Sequence, residues 1–276
     1  MRIVIASVVY KNALGYLEDF LRSISKQTYQ KFSVLLLNDD MPYEYLGNIL
    51  SKIEFKKNQD VLIIKSYKES SISQLRIQMI LEAKIRGFDF LILSDSDDML
   101  SPNRVECYLS ALNPQYSFYY NDLIDFNGQM IMPVLPAETI SWKQIEEENF
   151  LGLSNTGIWL KNFSLQFINS LNTGDTKIFD WYLYSRILLA GMSGKKVENC
   201  YTYYRIHDNN IAGNMLLSEE QIKKEIIVKI EHYRLLEKEE PYFKHLRRIY
   251  ERINKGEEEY ILNKEDMFWW GIIKQK

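Results

Sequence analysis

Residues 73–98 read SQLRIQMILEAKIRGFDFLILSDSDD. Leu75, Met79 and Ala83, with Ile72 just before them, recur on one stripe at helical spacing, which predicts a helix over 72–85. Phe88 to Leu93 is an apolar run bounded by polar residues and predicts a buried strand. That run then delivers three carboxylates within four positions, Asp95, Asp97 and Asp98. Like charges at such spacing disfavour each other's ionisation, so the cluster is costly unless a positive charge faces it.

The same alternation extends towards the N-terminus. Ile3 to Val9 is β-branched and apolar, Leu14 to Ser25 has helical periodicity, and Phe32 to Leu37 is again strand-like. Tyr43 to Ile53 reads as helix and Val61 to Ile64 as strand. This rhythm predicts an α/β fold, a mostly parallel sheet flanked by helices. Such sheets bind ligands outside the carboxyl ends of their strands. Two acidic clusters fall there, Asn38-Asp39-Asp40 and Asp95-Ser96-Asp97-Asp98.

Beyond residue 115 the pattern is less regular. Tyr116 to Asp125 and Met130 to Val134 read as strands around the Asn127-Gly128 turn. Residues 146–157 read as loop or strand rim, 162–171 and 180–190 as helices, and 195–206 as one or two short strands. From Ser218 charged helices take over, with breaks near Pro241 and Gly256, before the chain reaches MFWWGII at 267–273. The expected organisation is a domain over 1–215, with halves at 1–105 and 106–215, and a helical C-terminal extension over 216–276.

With 276 residues the chain has room for one such domain and an extension. A net charge of -3 gives no support for a nucleic-acid partner. Cys107 and Cys200 are expected to be free thiols in a reducing cytosol, since one pair makes no secreted framework. The opening MRIVIASVVYKN alternates into polar residues too soon for a signal peptide, and no later run suits a membrane span. The expected location is cytoplasmic.

Two acids separated by one residue at a strand end can both turn towards one hard cation, and oxygen ligands suit Mg²⁺ or Mn²⁺ with positions left for substrate phosphates. The plainer alternative is a solvated loop and a helix cap before Pro102. Both readings stand on this motif alone.

VVYKNALGYLEDFLRSISKQTYQKFSVLLLNDD at 8–40 resembles the opening of glycosyltransferase family 2, and residues 73–98 are similar to that family's Arg-bearing helix and Asp-x-Asp strand. FDWYLYSRILLAG at 179–191 resembles its acceptor-side helix, and YYRIHDNN at 203–210 its closing Tyr-Arg-x-His segment. The four segments come in the family's order. The resemblance implies a GT-A fold, a nucleoside-diphosphate-sugar donor with UDP-sugars favoured, a divalent cation (Mn²⁺ or Mg²⁺), and inversion at the anomeric carbon. It puts the donor in the 1–105 half and the acceptor in the 106–215 half.

Carried onto this chain, the resemblance has Asp39 bind the nucleotide base with Asn38 and Asp40 nearby, and Arg76 lie close to base or diphosphate. Asp95 and Ser96 face the donor, Asp97 is the main metal ligand, and Asp95, Asp98 and His207 complete the metal set. Arg205 lies near the diphosphate. Asp180 matches the general base, which makes chemical sense because a sugar hydroxyl attacks poorly until a carboxylate accepts its proton. Phe179 stands where the family has an acid, and an Asp opening a helix is also an ordinary cap. A histidine such as His207, taken alone, is more often a structural hydrogen-bonder than a ligand, and His232 and His245 are expected on the surface. Trp142, Trp159 and Trp181 can offer aromatic faces, and Trp181 is placed beside the acceptor.

The acceptor implied is a saccharide or lipid-linked saccharide hydroxyl, in surface polysaccharide or glycan assembly. The aromatic tail is expected to pack on its own domain, with a homodimer contact or a peripheral contact at the inner membrane face as alternatives. Two other functions compete: a catalytically degenerate module that binds a nucleotide sugar or metal, and metal-dependent phosphoryl transfer. The second fits poorly, because phosphatase Asp-x-Asp motifs usually follow the first strand.

Overall fold

The computed structural model describes residues 1–56, 59–172, 176–206, 218–263 and 268–276. In chain order it contains β1 (Ile3–Tyr10), α1 (Leu14–Ser25), β2 (Ser33–Asp39), α2 (Tyr43–Leu50), β3 (Val61–Lys65), α3 (Ile72–Ile85) and β4 (Phe90–Leu93). There follow β5 (Met99–Leu100), α4 (Arg104–Ala111), β6 (Phe118–Ile124), β7 (Glu138–Thr139), β8 (Thr156–Trp159) and α5 (Leu165–Ser170). The remainder comprises α6 (Phe179–Leu189), β9 (Gly194–Tyr203), α7 (Glu219–Leu236), α8 (Tyr242–Asn254), β10 (Tyr260–Leu262) and β11 (Ile273–Gln275).

The chain divides into two compact units. The first holds residues 1–131, 153–176 and 194–205, and the second 132–152, 177–193 and 206–276. A single boundary near 215 does not describe this division, because 132–152 and 177–193 fold with the C-terminal helices.

In the first unit the sheet runs β3-β2-β1-β4-β8-β6-β9-β5. The first four of these strands are mutually parallel, as the alternation predicts. β8 is antiparallel to both β4 and β6, whereas β9 runs parallel to β6. Register sets Tyr10 opposite Asp39 and Ala6 opposite Leu93, so β1, β2 and β4 end along one edge. The apolar stripe of α1 (Leu17, Phe20, Leu21 and Ile24) is buried in one cluster with Ile3, Ile5, Val34 and Leu36. Burying each such side chain contributes roughly 1.5–3 kcal/mol, which is why this half of the chain advertises its fold so clearly.

The later elements depart from expectation. The second strand of the 116–134 pair is reduced to one bridge, Ile124 with Met130, although Asp125 Oδ1 holds the turn by accepting from Asn127 N (2.9 Å) and Gln129 N (2.8 Å). The 162–171 helix starts only at Leu165, where Ser164 Oγ caps the N–H of Phe167 at 3.0 Å. In β8, a Cβ at Gly157 would stand 2.9 Å from the Tyr108 ring and 3.0 Å from that of Phe90, so close packing requires glycine there.

The second unit has a polar as well as an apolar core. Trp181 stacks on His232 (centroids 3.9 Å, planes 17°), and its indole N–H donates to Ile145 O at 2.6 Å. His232 is thus fully buried, against expectation, while His245 is exposed as expected. The Glu225 carboxylate accepts the N–H groups of Ile272 (3.2 Å) and Ile273 (2.8 Å) and pairs with buried Lys229 at 3.4 Å. Trp269, Trp270 and Ile273 are buried, and Phe268 packs on Phe150, so the aromatic tail folds onto its own unit. Among the described residues no helix is long and apolar enough to cross a membrane.

Candidate functional site

The shared strand edge of the first unit gathers most of the expected donor-side residues. Asp39 ends β2, and its Oδ1 accepts from Ser66 Oγ at 3.3 Å. Asp40 follows in the left-handed region (φ 55°) and is exposed. Asn38 is buried and spent on the turn: its amide donates to Met41 O and accepts from Met41 N, both at 2.9 Å. It therefore shapes the loop that carries Asp39 and Asp40 and presents no side chain to a ligand.

Arg76 is placed by the start of α3. Ser71 and Gln74 form a reciprocal cap, Gln74 N to Ser71 Oγ at 3.3 Å and Ser71 N to Gln74 Oε1 at 2.8 Å, which anchors the first turn. One turn on, Arg76 Nη2 lies 3.7 Å from Asp95 Oδ1. The turn bearing Asp95 is tied from the other side, where Asp95 N donates to Ser154 Oγ (2.9 Å) and Thr202 Oγ1 donates to Ser154 O (2.9 Å).

Asp95 and Asp97 are half-buried, whereas Ser96 and Asp98 are buried. Asp98 Oδ1 accepts the backbone N–H of Arg205 at 2.8 Å, and its Oδ2 accepts no hydrogen bond of good geometry. Burial first, then the charges of Asp97 and Asp95, hold the Asp98 carboxyl well above the usual carboxylate range, against the opposing Ser154 hydroxyl and Arg205 amide. Ser96 Oγ is also buried without a partner. Tyr10, at the end of β1, faces the same acids: burial first, then Asp97 and Asp95, push its phenol up to about 12, with Arg76 pulling the other way.

These features fit a divalent cation. Crowded carboxylates with an orphaned buried oxygen are short of positive charge, and Mg²⁺ or Mn²⁺ needs only one or two protein carboxylates when donor phosphates fill other positions. Among the described residues no three His, Cys, Asp or Glu side chains already converge as a cage. Cys107 and Cys200 are free thiols.

Arg205 does not simply reach outward. Its Nε donates to Asp97 O (2.9 Å), its Nη2 pairs with Asp19 (3.2 Å), and its guanidinium lies over the rings of Tyr16 (4.6 Å) and Phe126 (4.4 Å). His207 lies outside the described residues.

Asp180 belongs to the second unit, half-buried in the first turn of α6. The cap position of α6 is Ile178, so Asp180 is not the helix cap. Trp181 is buried in the core of its unit and has no face for a sugar, which corrects its placement beside the acceptor. Trp142 packs on Phe243, and Trp159 beside Phe90.

Sequence reading missed Tyr10, Ser154 and the residues around Arg205. Tyr10 was within reach, since it ends a strand on the edge where the acids were expected. Ser154 sits in a loop with no periodic signal.

The family profile described as glycosyl transferase family 2 matches residues 6–121. No curated protein matches the chain. Among solved structures, S. aureus TarS 1–349 in complex with UDP-GlcNAc superposes with TM-score 0.59 at 10% identity, over 100% of this chain and 97% of that one. The mannosyltransferase PcManGT from Pyrobaculum calidifontis, in complex with GDP-Man and Mn²⁺, gives 0.60 at 9% identity, over 93% and 71%. GalNAc-T7 with UDP, GalNAc and Mn²⁺ gives 0.56 at 13%, over 86% and 48%. The chain spans 43% of the longer TarS structure. At these identities the likeness establishes the mixed α/β GT-A fold.

Proposed function

We propose that the protein, whose residues 6–121 match the glycosyl transferase family 2 profile, is an inverting glycosyltransferase using a nucleoside-diphosphate sugar, UDP-sugars first. The observation that carries this reading is the edge where Arg76, Asp95, Asp97 and Asp98 meet beside Tyr10 and Asp39. The solved relatives with UDP-GlcNAc, GDP-Man, or UDP and Mn²⁺ support a donor of this class without choosing its base.

Asp39 and Asp40 take the nucleoside, on a turn shaped by Asn38. Arg76 holds Asp95 and adds positive charge beside the diphosphate. Asp95, Asp97 and Asp98 hold Mn²⁺ or Mg²⁺, joined by His207, and Ser96 lies beneath them. Arg205 anchors the turn. When bound, the cation offsets the charge that builds on the departing nucleoside diphosphate.

Asp180 accepts the proton of an acceptor hydroxyl as that oxygen attacks the anomeric carbon opposite the leaving group. The acceptor class is a saccharide or lipid-linked saccharide, in surface polysaccharide or glycan assembly.

A panel of nucleotide sugars, scored by thermal stabilisation with and without Mn²⁺, tests this reading, since a ligand of the folded state raises apparent stability. One nucleoside diphosphate family should stabilise the protein only with metal, and Asp97→Ala should lose the effect. Metal-independent stabilisation, or none, would overturn it.

A further inference from the structure

We propose that Arg205 is a positioning residue for the acidic turn at 95–98, seated in a socket of Tyr16, Phe126 and Asp19. Each contact is short and differs in kind. Its backbone N–H fixes Asp98 Oδ1 (2.8 Å) and its Nε fixes the carbonyl of Asp97 (2.9 Å). The rest of the guanidinium lies over two rings, at 4.6 Å from Tyr16 and 4.4 Å from Phe126, and pairs with Asp19 at 3.2 Å. A planar cation over aromatic faces keeps one orientation, and only Arg combines that stacking with a directed Nε donor.

The socket joins four places far apart in the chain: α1, the end of β6, the end of β9 and the acidic turn. Asp98 Oδ1 is engaged by Arg205, the Ser154 hydroxyl also acts on the carboxyl, and Oδ2 accepts no hydrogen bond of good geometry. One carboxylate oxygen is thus tethered and the other left available, an arrangement that orients a ligand oxygen towards a cation. The inference rests on the donor-site reading of that turn, and it assigns Tyr16, Phe126 and Asp19 to the reaction as support.

The test compares Arg205→Lys, Phe126→Leu and Phe126→Tyr with the parental chain. The probe is UDP, or GDP if the panel selects it, titrated with Mn²⁺. Losing the support of a metal ligand should raise the Mn²⁺ concentration for half-maximal nucleotide binding about tenfold in Arg205→Lys and Phe126→Leu. Phe126→Tyr, which keeps the ring, should behave as the parent.

Amide exchange of metal-free protein gives a second readout. The Arg205 N–H should exchange faster in Phe126→Leu while those of β1 and β4 do not change. An unchanged Mn²⁺ midpoint or unchanged Arg205 exchange in Phe126→Leu overturns the socket. If the parental chain binds no nucleotide with Mn²⁺, the donor reading fails, and exchange at Arg205 alone decides for or against the socket.

Discussion

Arg76 Nη2 stands 3.7 Å from Asp95 Oδ1, linking α3 to the turn that follows β4. Both side chains reach solvent, at 17% and 40% exposure, so the pair adds at most about 1 kcal/mol to folding. A pair worth so little to stability, placed at the edge proposed to take the donor, has in that proposal the part of an electrostatic fixture for binding. Arg76→Ala should leave the thermal midpoint of the free protein within a few degrees, and weaken nucleotide-sugar binding about tenfold, or about 1.4 kcal/mol. Calorimetric titration against the donor that the panel selects decides it: unchanged affinity would remove Arg76 from the site.

The base role proposed for Asp180 separates chemistry from binding. Replacing it by Asn keeps shape and hydrogen bonding but removes the proton acceptor. Asp180→Asn should bind donor as the parent does while transfer slows by about 10²–10⁴-fold. Transfer at the parental rate would take the base role away from this residue.

How much of this was legible beforehand depends on where the causes lie. The spans of α1 and α3 were predicted as they are observed, because the apolar stripe of α1 is local, as is the Ser71–Gln74 cap of α3, where Leu75, Met79 and Ala83 are buried and Ile72 is exposed. The parallel direction of β1, β2, β3 and β4 follows from the alternation, whereas their order in the sheet does not. β8 was legible only as part of a loop or strand rim over 146–157: Thr156–Trp159 is short, contains a glycine, and is a strand because β4 and β6 flank it. Likewise the acids were found from strand-end logic and Arg76 only from the family resemblance, whereas the Arg205 socket joins residues that only the fold brings together. His232 was misplaced because its helix is rich in charge, yet Lys229 and Glu225 on that same helix are buried by pairing with each other.

Buried His232 gives an acid sensitivity with a defined sign. Burial, with the Lys229 charge adding to it, holds the imidazole well below its ordinary pKa. The unfolded chain, near 6.5, therefore takes up the proton first as pH falls. Stability contributed by the neutral ring is present above that value and drains away as pH drops towards the folded pKa. His232→Phe keeps the stack on Trp181, gives up the 3.4 Å contact with Ser185 as a fixed offset, and cannot titrate. Its thermal midpoint relative to the parent should rise steadily between about pH 7.5 and 5, with carboxylate titrations common to both proteins cancelling. Parallel curves over that range would show that the ring is not held neutral by the fold.

Lys229 tests what holds the C-terminal strand. Its ammonium is fully buried, pairs with Glu225 at 3.4 Å, donates to the carbonyl of Ile273 and lies 5.0 Å from the centre of the Tyr250 ring. Glu225 in turn accepts both Ile272 and Ile273 N–H groups, and Tyr250 donates to Glu147 at 2.7 Å. Removing one member of such a pair leaves the other charge buried alone, which costs about 3–5 kcal/mol. Lys229→Met should lose that much in urea unfolding and speed amide exchange along β11. Neutralising both members, Lys229→Met with Glu225→Gln, should recover part of the loss, because the substituted amide leaves no net charge stranded and its one oxygen still accepts one of the two N–H groups. A double variant as weak as the sum of its singles would mean that the two side chains act independently, and that the tail is held by its buried aromatics alone.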